Sequence, residues 1–472
     1  MIFTGPSKRA AAHLASPTRT SPAEPFTPEL EKELVREVLA MGLPSMAGFL
    51  LITIYDLVDI FWLARLGEAP VAAVTALSAY LWVLSFPNMI VGSGSVAFIS
   101  RRYGAGNGPG TEISIKNTFL LKMLVGVVAG IVGLLTTRAA LQLMGAAPDV
   151  VELGVRYGYA QWFALGAALV SFSVYTAMRG IGRPMLGMWI SFAGTLINLI
   201  LDPLLIFGIG PFPEFGIAGA SIASACGFFT VSIWGIFALA SPGSNVRVHW
   251  WRRPFYDLAE MKAMLRIGAP SGLSSLSVAV SGMVVVKLVA IYGTGPVALF
   301  GMAQKVLRFG RMLLGGLSLG SSALIGQYLG GGRLERAWLT AVVSTRLGTG
   351  TLLVFSLIVA AGAPWIVAFF FPDSEIAASG VLYLRLMAIG LPFAGITGAG
   401  ESAFSGAGLN RPAMFVQLVM AWGLTVPAML ILGPGLGGGA PGTVSGLAVG
   451  EILGALVAWA VVRRGAWLAH QL

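Results

Sequence analysis

Apolar runs of about 20 residues, parted by short polar or Gly/Pro-rich connections, recur along this chain from about residue 38 onward. That length lets a helix cross a hydrocarbon layer ~30 Å thick. The pattern predicts twelve spans, at 40–65, 71–99, 118–137, 157–178, 186–208, 216–240, 267–291, 297–326, 345–371, 380–404, 413–433 and 443–462. Hydrocarbon offers no partner to a bare N–H or C=O, so each span is expected to be a helix that satisfies its own backbone. Residues 1–30 break the pattern: rich in Pro, Ser, Thr and Ala, they read as a mobile tail. No apolar stretch follows Lys8 and Arg9 there, so no signal peptide is expected.

Composition agrees with lipid as the solvent. Of 472 residues, 56% are hydrophobic and only 11% charged, and the mean hydropathy is +0.83. A water-soluble surface takes roughly a quarter charged residues, so most of this surface is expected to face lipid. The 63 glycines suit helices that pack closely in a membrane. A single cysteine, Cys226, excludes an intramolecular disulfide. His13, His249 and His470 lie outside the apolar runs, so no His/Cys metal site is expected.

The net charge of +10 matters through its placement. With the N-terminus inside and the spans alternating, cytoplasmic segments hold 22 of the 30 basic residues. Among them are Arg101, Arg102, Lys116 and Lys122 after span 2, Arg247, Arg252, Arg253, Lys262 and Arg266 after span 6, and Arg463 and Arg464 after span 12. The opposite side holds Arg65, Arg138, Arg156 and Arg385. This positive-inside bias predicts an inner-membrane protein with an even span count and both termini cytoplasmic.

The chain also repeats itself. At an offset of 226, Pro44 matches Pro270, Gly67 matches Gly293, Pro70-Val71-Ala72 matches Pro296-Val297-Ala298, Gly94-Ser95 matches Gly320-Ser321, and Gly180 and Gly182 match Gly406 and Gly408. A constant offset over ~140 residues implies two homologous six-span halves related by an axis along the membrane normal. The expected organisation is an N-lobe over 31–240, a linker over 241–265, a C-lobe over 266–464 and a short tail over 465–472.

Few acids fall inside the spans. An ionised Asp at a helix centre costs roughly 2.5–3.5 kcal/mol on insertion scales, so each is a functional candidate. Span 1 carries Asp56 and Asp59, with Tyr55 four residues before Asp59 on the same side. Span 5 carries Asn198 and Asp202, again four apart, followed by Pro203, which cannot donate to the helix and frees nearby carbonyls. Carboxylates beside free carbonyls suit a proton or a small cation. The plainer reading is that Asp59 or Asp202 caps a loop near a helix end.

The second half lacks these acids: Val285 and Gly282 stand opposite Asp59 and Asp56. It carries Lys287, Lys305, Arg308, Arg311 and Glu401 instead. Glu401 can line a cavity or pair with a base such as Arg308, and both readings stand. Arg308 and Arg311 can also snorkel to headgroups. The 26 Phe, 12 Trp and 18 Met can line a cavity for large apolar cations, though lipid-facing roles account for most of them.

Several motifs now resemble one family. Leu43-Pro44, Tyr55-Asp56-Leu57-Val58-Asp59, the Arg179-Gly180-Ile181-Gly182-Arg183-Pro184 turn, Asn198 with Asp202-Pro203, and Gly216-Ile217-Ala218-Gly219-Ala220 are similar in order and spacing to multidrug and toxic compound extrusion (MATE) transporters, over about 32–464. The resemblance implies an all-α membrane fold with two pseudo-symmetric six-helix bundles forming a V. It also implies antiport of cationic drugs or toxic organic compounds against protons or Na+. Within the family the chain looks most like the DinF-like branch. That likeness implies cation coupling at Asp59 and Asp202, with Tyr55 and Asn198 as partners, and places Ser224 near a family hydroxyl position. The NorM-like branch uses a Glu in span 7 and an Asp in span 10; span 7 here has no acid, and Glu401 lies closer to the following turn than that Asp would. Asp56, Ser224, Glu401 and Lys287 are further cavity-lining candidates.

The expected protein is therefore a monomeric transporter with a small-molecule substrate and lipid around it. It needs no cofactor beyond the coupling ion and binds no nucleic acid. The alternative is a flippase for lipid-linked oligosaccharide or peptidoglycan precursors, from the same superfamily. A membrane enzyme is disfavoured because no span holds a His/Cys constellation.

Overall fold

The computed structural model describes residues 27–372 and 376–470, so most of the expected tail 1–30 lies outside the described residues. The chain is helical almost throughout: α1 (Pro28–Ala64), α2 (Glu68–Leu84), α3 (Phe86–Gly104), α4 (Gly108–Leu143), α5 (Pro148–Gly180), α6 (Pro184–Phe207), α7 (Ile217–Ala240), α8 (Leu258–Ala290), α9 (Thr294–Gly330), α10 (Leu334–Phe370), α11 (Ala377–Gly390), α12 (Ala394–Ala407), α13 (Asn410–Leu418), α14 (Val426–Leu430) and α15 (Gly439–Arg463). Among the described residues, eleven helical stretches are long and apolar enough to cross a membrane; α2 and α3, bent by 49°, make the twelfth when counted as one span. Pro87 causes that bend, because it opens α3 without an N–H and disfavours helix in the residue before it. Span 10 joins α11 to α12 through a 3-10 turn at Leu391–Phe393, where Pro392 sits. Span 11 relaxes into π-turns at Val419–Thr425 and Ile431–Gly435 around Pro427 and Pro434.

The repeat reappears in backbone geometry. Gly67 opens α2 at φ 119° and Gly293 opens α9 at φ 102°, a conformation that disfavours any side chain. The two glycines are 226 residues apart, so the turn is preserved in both halves for one steric reason.

Contacts divide the chain into two compact units, and both divisions fall inside helices. One unit is Ala47–Gly268. The other takes the described residues up to Met46 together with those from Ala269 onward. Each half thus lends the start of its leading helix to the opposite unit, with the change-over beside Pro44 in α1 and Pro270 in α8.

Polar anchors hold these lent segments. In the 47–268 unit, Glu260 of α8 accepts from Arg102 at 2.7 Å and from Ser114 at 2.5 Å. Asp257 caps α8 by accepting from the Ala259 and Glu260 amides, and its own amide donates to Asn117. Lys116 binds Glu112 at 2.8 Å and also the Arg252 carbonyl, so residues 249–257 are tied down rather than strung between halves. In the other unit, Glu31 pairs with Arg346, Glu33 with Arg336 at 3.0 Å, and Glu37 accepts from Tyr328. These contacts explain why α1 starts at Pro28, well before the apolar run at residue 40. The same unit buries Trp467, which stacks on Trp338 at 6.2 Å, so the C-terminal segment is packed as far as Leu468.

The outer faces stay apolar. Leu135, Phe163, Trp365 and Phe369 are all at least three-quarters exposed, which only a lipid surround makes favourable. Lys122 departs from its expected place among cytoplasmic basic residues: it lies within α4 and is 2% exposed.

Candidate functional site

Four helices of the 47–268 unit converge on one polar cluster. On α6, Asn198 and Asp202 lie one turn apart, and Asn198 Nδ2 donates to Asp202 Oδ1 at 3.1 Å. Helix α7 can approach because Gly194 and Gly227 face each other; a Cβ on either would lie 2.9 Å from the other's carbonyl oxygen. Two backbones in such contact bring Ser224 of α7 next to Asn198, with Ser224 Oγ 3.5 Å from Asn198 Nδ2.

Ser224 spends its one proton on the Ala220 carbonyl at 3.0 Å. Tyr55 of α1, 2.6 Å from Ser224 Oγ, is therefore the donor in that pair. One turn beyond Tyr55, Asp59 is 5% exposed and faces both Asp202 and the Tyr157 hydroxyl of α5. Gln161 Nε2 donates to Tyr157 Oη at 3.0 Å and fixes it there. Asp202 is fully buried.

The cluster is incompletely satisfied. Asp59 Oδ1 and Asp202 Oδ2 are buried without a hydrogen-bond partner. Buried polar atoms are nearly always paired, and here each of two facing carboxyl groups leaves one oxygen bare. Two ionised carboxylates at such range repel, and a proton or a monovalent cation between them removes the repulsion. Among the described residues, no three His, Cys, Asp or Glu come together as a metal-ligand group.

The fold thus brings together Tyr55, Asp59, Asn198, Asp202 and Ser224. Asp56, three residues before Asp59, is exposed and makes none of the cluster's hydrogen bonds, although its charge still acts on Asp59. Glu401 and Lys287 belong to the other unit and are both exposed; neither makes an ion pair among the described residues. The Glu401–Arg308 pairing does not form. The pair that does form joins Arg311 to Glu451 of α15 at 2.5 Å. Sequence reasoning passed over Tyr157, Gln161 and Glu451. The signals were present: a polar pair four apart in span 4, and one acid in the twelfth apolar run.

Comparison with known proteins places this geometry in context. The family model described as MatE matches residues 44–204 and 270–431. The two matched blocks begin 226 residues apart, at the repeat offset. The chain is 28% identical over 334 residues to an FAD transporter of Shewanella oneidensis, covering 69% of this chain and 71% of that protein. It is 22% identical over 436 residues to the multidrug export protein MepA of Staphylococcus saprophyticus, covering 92% and 94%. A crystal structure of MATE in the bent conformation superposes with a TM-score of 0.83 at 22% identity, covering 94% of this chain and 99% of that one.

Proposed function

This chain belongs to the MatE family of transporters, and on that premise we propose that it exports toxic organic compounds, cationic drugs among them, by antiport with protons or Na+ through the Asp59–Asp202 cluster. The observation that carries the reading is the pair of facing carboxyl groups with one bare oxygen each. Uptake of one cation changes the cluster's charge by one and changes which helix packing is favoured. Substrate and ion need only prefer opposite conformations for their movements to be coupled. One elementary charge moving through the membrane potential supplies about 2.3 kcal/mol per 100 mV, enough for a substrate gradient of roughly fifty-fold.

The acids of the 47–268 unit, with no counterpart in α8, favour the DinF-like branch. The basic bias of one set of loops supports an inner-membrane location with both termini cytoplasmic. The protein works as a monomer in this reading, with no cofactor besides the coupling ion.

A second reading, movement of an anionic or lipid-linked substrate, has one observation in its favour. Lys287, Lys305 and Arg308 are exposed and make no ion pair among the described residues.

The deciding measurement is ethidium efflux from proteoliposomes under an imposed pH gradient, then a sodium gradient, for wild type and Asp59→Asn. Efflux driven by one gradient and lost in Asp59→Asn supports drug antiport and names the ion. Silence under both gradients rejects drug antiport in favour of the second reading; efflux that survives Asp59→Asn removes Asp59 from the coupling step.

A further inference from the structure

Lys122 lies 14 residues after the start of α4, about 20 Å along the helix, and is 2% exposed. Its ammonium makes no hydrogen bond or ion pair among the described residues. The charged group that faces it is another cation, Arg179 of α5, itself 5% exposed. Acids nearer the start of α4 are already engaged, Glu112 by Lys116 and Glu260 by Arg102. A buried ammonium beside a like charge is costly, and either loss of its proton or the arrival of an anion removes that cost.

The surroundings show where an anion fits. Lys122 Nζ reaches Gly92 of α3: a Cβ placed there would meet Nζ at 3.9 Å and no other atom within 4 Å. The space beside Gly92 is therefore open apart from the ammonium. Asn88 lies one turn earlier on the same face of α3, and its side-chain oxygen is buried without a partner. Rotating that carboxamide exchanges oxygen for N–H and turns Asn88 into a donor. An ammonium and a side-chain-free gap thus meet at Gly92, with an unpaired carboxamide one turn away on α3.

We propose that Lys122, Asn88 and the gap at Gly92 form a binding site for an anionic oxygen group, the phosphate or carboxylate of a transported small molecule or of a lipid headgroup. As a site for cargo this rests on the transport reading. As a site for an anion it stands alone, and binding is measured without transport.

The test uses the full-length protein in a neutral maltoside detergent, with unfolding followed by tryptophan fluorescence. Inorganic phosphate is compared with chloride at matched ionic strength, and short-chain phosphatidylglycerol is compared with phosphatidylcholine. Ligand that binds only the folded state raises the Tm. Phosphate is expected to raise it by about 3 °C in wild type, Lys122→Arg and Asp59→Asn, and not in Lys122→Gln. Gly92→Leu, which fills the gap and keeps the ammonium, is expected to lose the shift while still eluting as a single folded species. A shift with dissolved phosphate assigns the site to a soluble cargo; a Lys122-dependent shift with phosphatidylglycerol alone assigns it to lipid. No shift with either anion in wild type, or a shift that persists in both Lys122→Gln and Gly92→Leu, overturns the proposal.

Discussion

Tyr55 Oη and Ser224 Oγ, 169 residues apart in the chain, lie 2.6 Å apart and tie α1 to α7. Replacing Tyr55 with Phe keeps the ring and removes the donor. The expected cost is about 1 kcal/mol of stability, with efflux slowed several-fold because the α1–α7 link beside Asp59 is loosened. Thermal unfolding and ethidium efflux on one preparation check both; unchanged efflux would remove Tyr55 from the working part of the cluster.

Asp202 and Asp56 should behave oppositely. Asp202→Asn removes a fully buried carboxyl group and is expected to reduce gradient-driven efflux at least about tenfold. Asp56 is exposed and hydrogen-bonds to no cluster residue, so Asp56→Asn should change efflux by less than about twofold. Initial efflux rates decide, and equal effects would contradict the geometry.

Gly268 and Gly94 fix the docking of α8 against α3. A Cβ at Gly268 would fall on the Ile90 carbonyl, and one at Gly94 on the Met264 carbonyl. Alanine at either position should destabilise by about 1–3 kcal/mol through overpacking. Gly350→Ala is the control, since a Cβ there meets nothing within 4 Å. Unfolding temperatures of the three variants provide the comparison.

Ion pairs of nearly equal length should differ in worth. Arg102–Glu260 at 2.7 Å has its acid 2% exposed, whereas Arg138 and Glu152 at 2.8 Å are both 57% exposed. Glu260→Gln is expected to cost about 1–3 kcal/mol. Arg138→Met should cost under about 1 kcal/mol, because an exposed pair is weak. Urea or thermal titration of each variant would show the ranking, and a reversed order would refute the burial argument.

The Arg311–Glu451 pair invites a charge exchange. Arg311→Met leaves Glu451, whose second oxygen is already bare, without its cation. A loss of about 1–2 kcal/mol is expected, discounted for the half-exposed Arg311. Arg311→Glu with Glu451→Arg should recover at least about half of the loss in a double-mutant cycle. No coupling between the two positions would show that the pair is incidental.

Much of the fold is legible in sequence because lipid imposes a local rule. Each span must satisfy its own backbone, so a run of apolar residues announces a helix without knowledge of its neighbours. The twelve spans and the 226-residue repeat follow from such local signals, and so does the rarity of Asp59 and Asp202. Burial direction is less legible. Asp56 and Asp59 look alike in the sequence, yet one is exposed and the other 5% exposed. Lys122, near one end of the predicted span 118–137, reads as one more base of the cytoplasmic side until packing shows it 2% exposed. Arg311 finds Glu451, where the sequence had offered Glu401 with Arg308, only when α15 is placed beside α9.

The sequence by itself determined what each segment is: spanning or not, acidic or basic, first repeat or second. Tertiary structure alone decided which segments share a unit. Pro44 lies beside the point where the partners of α1 change, but the helix continues unbroken through Met46, and a proline alone does not say that its partners change there. Glu31, Glu33 and Glu37 find arginines and a tyrosine some 300 residues away, and Glu260 finds Arg102 and Ser114 of the other half. Those choices depend on close approach at Gly94 and Gly268 and on complementary charges, which exist only once distant helices are packed.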